Sequence, residues 1–341
     1  MNIENLSKKE RLRMLNSIYV AHPDATQILQ KMKRCHESRE YSNEPRSMSL
    51  TGETGTGKTT LIEQYMLKHP PSETEKTSSV PIFKSLIQPD TSIRDFIGSV
   101  LKSLIASVSG IREDDVDDEL LKGSLPMVRK RLYSYIAEAE VKLIILDEFQ
   151  HLISKHKKKV LSDVADTIKT LINETKVPII LVGTTKAKAV FAENPEMSRR
   201  IAEKIQLKPF SISTDDEINT FRRFLANVDK LLPFEKRSNL AEKEMTLRLY
   251  ATSNGYIDDI MRIILEAGYN AIIGDEENIN KELLAQAFEN TPGENQTAEG
   301  NPFTASIEKL QHWGCIESAI LGETHTHARK KLSSATINDF L

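Results

Sequence analysis

The chain has 341 residues, 39% apolar and 28% charged, enough to bury a core without disulfides or metals. Lys and Arg number 46 against 49 Asp and Glu, a formal net charge of −3, which excludes a chain-wide positive field as the grip on a polyanion. Two cysteines, Cys35 and Cys315, exclude a disulfide framework and point to a reducing, cytoplasmic setting; neither a secretory leader nor an apolar run of membrane-helix length is read.

Residues 1–45 read as a helical lead-in, with Leu12, Leu15 and Ile18 on one face and Ile28 and Met32 on a second segment. Met48-Ser49-Leu50 then runs into a glycine-rich loop, and Leu61, Ile62, Tyr65 and Met66 follow at helical spacing until Pro70-Pro71. Val80–Leu86 predicts a second strand, and the stripe Ile93, Phe96, Ile97, Val100, Leu101, Leu104 and Val108 predicts a helix. A helix over Leu125–Ala139, a buried strand at Val141–Leu146, a helix through Val160–Ile172 and a strand at Pro178–Val182 follow. Alternating strands and helices over 46–210 predict a parallel α/β sheet. Helical patterns continue over 211–290, a Gly/Pro-rich linker over 291–302, and a tail over 303–341 whose Ile307, Leu310, Trp313, Ile316 and Ile320 look like a docking segment.

Gly52-Glu53-Thr54-Gly55-Thr56-Gly57-Lys58-Thr59 matches G-x-x-x-x-G-K-[ST] between a strand and a helix. Glycines let successive N–H groups cradle phosphate, and the helix N-terminus adds its dipole. Lys58 is expected at the β- and γ-phosphates of ATP and Thr59 on Mg2+, with Thr60 beside it. Leu143-Ile144-Ile145-Leu146-Asp147-Glu148 ends a buried strand in two carboxylates. Asp147 is expected to hold Mg2+, directly or through water, and Glu148 to polarise the attacking water. Thr184, ending the next strand, is expected to hydrogen-bond the water or the γ-phosphate. Ser198-Arg199-Arg200 offers a guanidinium to a neighbouring subunit's γ-phosphate, Arg199 being favoured over Arg200.

Taken in order, these parts resemble the AAA+ ATPases, a P-loop α/β domain with a small helical lid. They are more similar still to the TniB/TnsC branch, the regulators of heteromeric DNA transposases. That likeness is carried by Arg13 through Ala21-His22-Pro23-Asp24-Ala25 and Ile28-Leu29, by Leu146-Asp147-Glu148-Phe149-Gln150-His151-Leu152, and by Val182-Gly183-Thr184 with Met197-Ser198-Arg199. It implies an ATPase that binds double-stranded DNA without sequence preference, forms rings or helical oligomers, and activates transposase subunits. Related proteins of CRISPR-associated transposons take their target through a TniQ adaptor. The chain departs from AAA+ lids at Gly255-Tyr256-Ile257-Asp258, where aspartate stands in place of an arginine; Arg262, one turn on, is the candidate substitute. A replication-initiator ATPase and a remodelling ATPase that does not bind DNA are the competing readings.

For DNA, the candidates are Lys155, Lys157, Lys158 and Lys159, then Lys102 with Ser103, the pair implied by the family's insertion after the second strand. A third patch is Lys122, Arg129, Lys130 and Arg131. The acidic run Glu113–Glu119 reads as a solvated loop, with a contact for a basic partner as the alternative. His312, Cys315, His325 and His327 fit no zinc spacing.

Overall fold

The computed structural model describes residues 3–73, 78–89, 92–152, 158–188, 191, 195–291 and 300–313. In chain order, α1 (Lys8–Asn16) and α2 (Pro23–Tyr41) lead into β1 (Ser47–Thr51) and α3 (Lys58–Met66). A short hairpin, β2 (Ser72–Glu73) with β3 (Ser78–Ser79), precedes β4 (Ile82–Leu86), α4 (Ile93–Ser109) and α5 (Leu125–Glu138). Then come β5 (Leu143–Asp147), α6 (Lys158–Thr175), β6 (Ile179–Gly183), α7 (Pro195–Arg200) and β7 (Ile201–Gln206). The remaining helices are α8 (Asp215–Leu231), α9 (Lys243–Ser253), α10 (Ile257–Ile273), α11 (Lys281–Asn290) and α12 (Ile307–Gln311).

Two compact units divide the chain, in each case through the described residues within the bounds given. One holds Asp24–Thr54 and Lys58–Lys208; the other holds Met1–Pro23, Gly55–Gly57 and Pro209–Leu341.

The first unit is a five-stranded parallel sheet in the order β4-β5-β6-β1-β7. Its central strands read as unbroken apolar runs because both faces are covered. Ile144, Leu146, Ile179 and Leu181 pack on one face with Phe96, Leu101 and Ile168. Leu143, Ile145, Ile180 and Val182 pack on the other with Ile28, Met32 and Ile62. The strand expected from Val80 starts at Ile82, because Pro81 has no N–H for the ladder. Strand β7 has no counterpart among the expected strands: Ile201-Ala202-Glu203-Lys204-Ile205-Gln206 is an edge strand with only Ile201 buried, so it lacks the apolar run that marks β5 and β6.

In the second unit, Phe221, Leu225, Val228, Ile260, Ile264 and Leu284 form a helical core. Leu15 of α1 joins it, whereas α2 packs against the sheet, so the lead-in expected at 1–45 divides between the units. The boundary falls between Lys208 and Pro209, two residues before the expected one.

A second correction concerns the tail. Phe303, Leu310 and Trp313 are 1%, 0% and 2% exposed and belong to this helical core. Buried Arg248 fixes the segment by donating to the carbonyls of Pro302 and Ala305, the latter at 2.9 Å. Residues 303–313 therefore fold onto their own unit; a free amphipathic patch would leave its one tryptophan wet. The expectations at Ile316 and Ile320 lie outside the described residues.

Candidate functional site

Strand β1 delivers the chain to Gly52, whose N–H donates to the Gly183 carbonyl at 3.1 Å and so ties the loop to the end of β6. Gly55 and Gly57 then take φ of +83° and +88°, a region that side-chain-bearing residues avoid. That conformation lets successive N–H groups share one concavity, the requirement for holding an anion. Lys58 opens α3, and its Nζ donates to the carbonyls of Gly52 at 2.9 Å and Glu53 at 2.8 Å. The ammonium is thus already curled over the loop. Thr59 and Thr60 are exposed beside it, whereas Thr56 is fully buried.

Strand β5 ends two positions across the sheet from β1. Asp147 is 5% exposed; its Oδ1 accepts the Glu148 N–H at 2.9 Å, and its Oδ2 lies 3.1 Å from Lys84 Nζ. Glu148 holds φ at +58°, a strained conformation for a residue with a Cβ, and it turns the chain sharply at the strand end. Its Oε2 accepts from the Gln150 amide and lies 3.5 Å from His151 Nε2. Gln150 Oε1 in turn accepts the Thr184 N–H at 2.9 Å. Gly183 makes this possible, since a Cβ there would stand 2.4 Å from Gln150 Oε1.

Thr184 Oγ1 is buried without a hydrogen-bond partner among the described residues, a costly state that a ligand oxygen or water would relieve. Next to it, Thr185 Oγ1 donates to Glu53 of the glycine loop at 2.5 Å. The loop, the acid pair and the Thr-ended strand therefore meet at the C-terminal edge of β1, β5 and β6, where ligands gather on open parallel sheets.

The donors here suit a hard cation. Asp147 and Thr59 offer oxygen only, and a cation already stands against the Asp147 carboxylate in the form of Lys84. No three His, Cys, Asp or Glu converge as a cage among the described residues.

The two arginines of α7 differ. Buried Met197 anchors the helix, Arg200 Nη1 lies 3.4 Å from Glu44, and Arg199 is exposed. Arg262 donates to Asp259 Oδ1 at 2.5 Å and to the Thr291 carbonyl at 2.7 Å, inside the helical unit. Gly255 is needed on steric grounds: its φ is +81°, and a Cβ would stand 2.0 Å from the Phe210 carbonyl oxygen.

Of the DNA candidates, Lys155 and Lys157 lie outside the described residues; Lys158 and Lys159 open α6, and their side chains lie outside them too. Lys102 is paired with Asp118 at 3.4 Å. Ser103 is 4% exposed and donates to Glu113 at 2.7 Å, so it reaches no phosphate in this conformation. In the third patch, Lys122 pairs with Glu119, Arg131 donates to the carbonyls of Leu120 and Lys122, and Arg129 donates to Thr167. The acidic run forms two short 3-10 turns whose carboxylates pair with Lys102, Lys122 and Arg112. His312 contacts the Glu308 carbonyl at 2.7 Å, while Cys315, His325 and His327 lie outside the described residues.

The family profile described as Bacterial TniB protein matches residues 11–212, more than half of the chain. The chain belongs to the TniB family. Among curated proteins none matches it. Its fold is shared with AAA+ ATPases of the Orc/Cdc6 type. The Aeropyrum pernix ORC2 protein (ADPNP-ADP complexes) is 14% identical with a TM-score of 0.55, over 82% of this chain and 72% of that one. The ORC1 protein of the same organism, solved in complex with DNA, is 16% identical with a TM-score of 0.54, over 84% and 70%. CDC6P from Pyrobaculum aerophilum is 15% identical with a TM-score of 0.52, over 81% and 69%. At these identities the likeness is one of fold.

Two residues of this TniB chain escaped sequence reasoning. Gln150 gave no periodic signal, though a polar residue just past an acid pair marks where to look. Lys84 gave a compositional one: it is the only charge within the strand Ile82-Phe83-Lys84-Ser85-Leu86.

Proposed function

We propose that this TniB chain is an ATP-dependent, DNA-binding regulator of transposition. It assembles as an oligomer on double-stranded target DNA, links a TniQ-like target-selection adaptor to transposase subunits, and is reset by ATP hydrolysis in the cytoplasm. The observation that carries the reading is the meeting of the Gly52–Thr59 loop with Asp147, Glu148 and the unpartnered Thr184 hydroxyl in a chain of this family.

In this reading Lys58 leaves the Gly52 and Glu53 carbonyls for the β- and γ-phosphates. Glu148 orients the attacking water through its carboxylate, which Gln150 holds in place. Thr184 supplies its hydroxyl to the γ-phosphate or the water. Thr59 and Asp147 would hold Mg2+, which would supply charge neutralisation at the phosphate oxygens. Exposed Arg199 completes a neighbouring subunit's pocket, and Lys102, on leaving Asp118, gives a phosphate contact that reads no sequence.

Lys58→Ala tests the reading. The variant is expected to lose ATP binding and, with it, any ATP-dependent shift of a DNA duplex. An unchanged shift refutes it. The initiator alternative has the fold likeness to ORC1 on its side, but the family match over 11–212 favours transposition. Stimulation of phosphate release by the cognate transposase separates the two.

A further inference from the structure

Lys84 stands where a sheet covered on both faces tolerates a charge poorly. Its neighbours Ile82, Phe83 and Ser85 are buried, and its own side chain is 26% exposed. Burying an ammonium is expensive unless an anion meets it. The partner is buried Asp147, whose Oδ2 lies 3.1 Å from Nζ. The register explains the meeting: Leu86 pairs with Asp147 across β4 and β5, so Lys84 lies two residues back and on the same face as Leu86. Oδ1 of the same carboxylate is occupied by the Glu148 N–H. A cation arriving at either oxygen of Asp147 therefore joins a carboxylate that Lys84 already neutralises, and two positive charges so close in a half-buried setting repel.

We propose that Lys84 is the built-in counter-ion of Asp147, and that it makes entry of the divalent cation conditional on nucleotide. Without nucleotide, the ammonium satisfies the carboxylate and opposes a second cation. With nucleotide, the triphosphate brings enough negative charge to hold cation and ammonium together. Lys84 is thus a positioning residue, acting on the cation through Asp147. The inference rests on the reading that Asp147 is a metal ligand.

The test uses Mn2+ as the probe, followed by electron paramagnetic resonance on the full chain without nucleotide. Lys84→Met is expected to bind Mn2+ at least tenfold more tightly than the wild type. Lys84→Arg keeps the charge and should bind as weakly as the wild type. Adding Asp147→Asn to Lys84→Met should abolish the gain, which places the ion at that carboxylate. Should Lys84→Met fail to fold with Asp147 left unpaired, Lys84→Gln retains a donor without charge and carries the same expectation. Variants that bind Mn2+ no better than the wild type, or a gain that survives Asp147→Asn, overturn the proposal. If the wild type takes up no Mn2+ even with ATP, the underlying reading of Asp147 falls as well; if it does take it up and only the nucleotide-free comparison fails, the role of Lys84 alone is lost.

Discussion

Gln150 Oε1 accepts the backbone N–H of Thr184 at 2.9 Å while the amide nitrogen of the same side chain donates to Glu148. One side chain thereby ties the carboxylate after β5 to the end of β6. Gln150→Ala should leave nucleotide affinity within about threefold but lower turnover about tenfold to a hundredfold, the usual scale for residues that orient a reacting group. Gly183→Ala should reproduce the defect, because its Cβ would stand 2.4 Å from the Gln150 oxygen. Phosphate-release and nucleotide-titration assays read both quantities.

The two candidate arginines should separate cleanly. Arg199 is exposed, so Arg199→Ala is expected to spare stability and nucleotide binding while reducing turnover only in assembled protein. Arg262 is engaged by Asp259 and the Thr291 carbonyl, so Arg262→Ala should lower stability by about 1–2 kcal/mol whether or not nucleotide is present. Denaturant titrations beside rates at rising protein concentration check the pair.

Much of the fold was legible because burial writes itself into composition. Both-faced strands such as Leu143–Asp147 and Ile179–Gly183 show as apolar runs, and α4 shows its stripe. Strand β7 was not legible, since this edge strand mixes charged and apolar residues and buries only Ile201, whereas the other edge, β4, is mostly buried and shows as an apolar run. The glycine loop and acid pair were readable because phosphate chemistry restricts residue choice at fixed spacing. Gln150 and Lys84 act on partners brought close by strand pairing: a lone charge in an apolar strand and a polar residue past the acid pair mark the positions, but spacing along the chain does not give the partners. Trp313 misled for the opposite reason: an amphipathic patch looks the same whether it meets a partner or its own domain.

Arg248 makes that correction testable. It is 3% exposed and holds the Pro302 and Ala305 carbonyls along with Glu244 at 2.8 Å. Arg248→Ala strips donors from buried carbonyls and should destabilise the helical unit by about 2–4 kcal/mol. Trp313 is the only tryptophan, so its emission should shift to the red as residues 300–313 loosen. Unshifted emission would contradict the packing described.

A pH dependence of stability follows from His36, whose Nδ1 lies 3.0 Å from the Tyr65 hydroxyl and whose ring packs on His69. Burial first, then His69 and Lys142, push its imidazole down to about 4, with Glu37 pulling the other way. The unfolded value is about 6.5, so this contribution is fully present above that pH. Between there and about 4 the unfolded chain takes up a proton that the folded one refuses, and stability falls steadily across that window. His36→Gln should remove most of that fall in urea titrations compared at neutral and mildly acid pH.

The most direct measurement is an electrophoretic shift of a DNA duplex by Glu148→Gln protein, with and without ATP and at rising salt. With Glu148 neutralised, the Lys58 loop is expected to retain ATP unhydrolysed and oligomers to persist on DNA, retreating as salt rises. A Glu148→Gln protein that shows no ATP-dependent DNA binding contradicts the account.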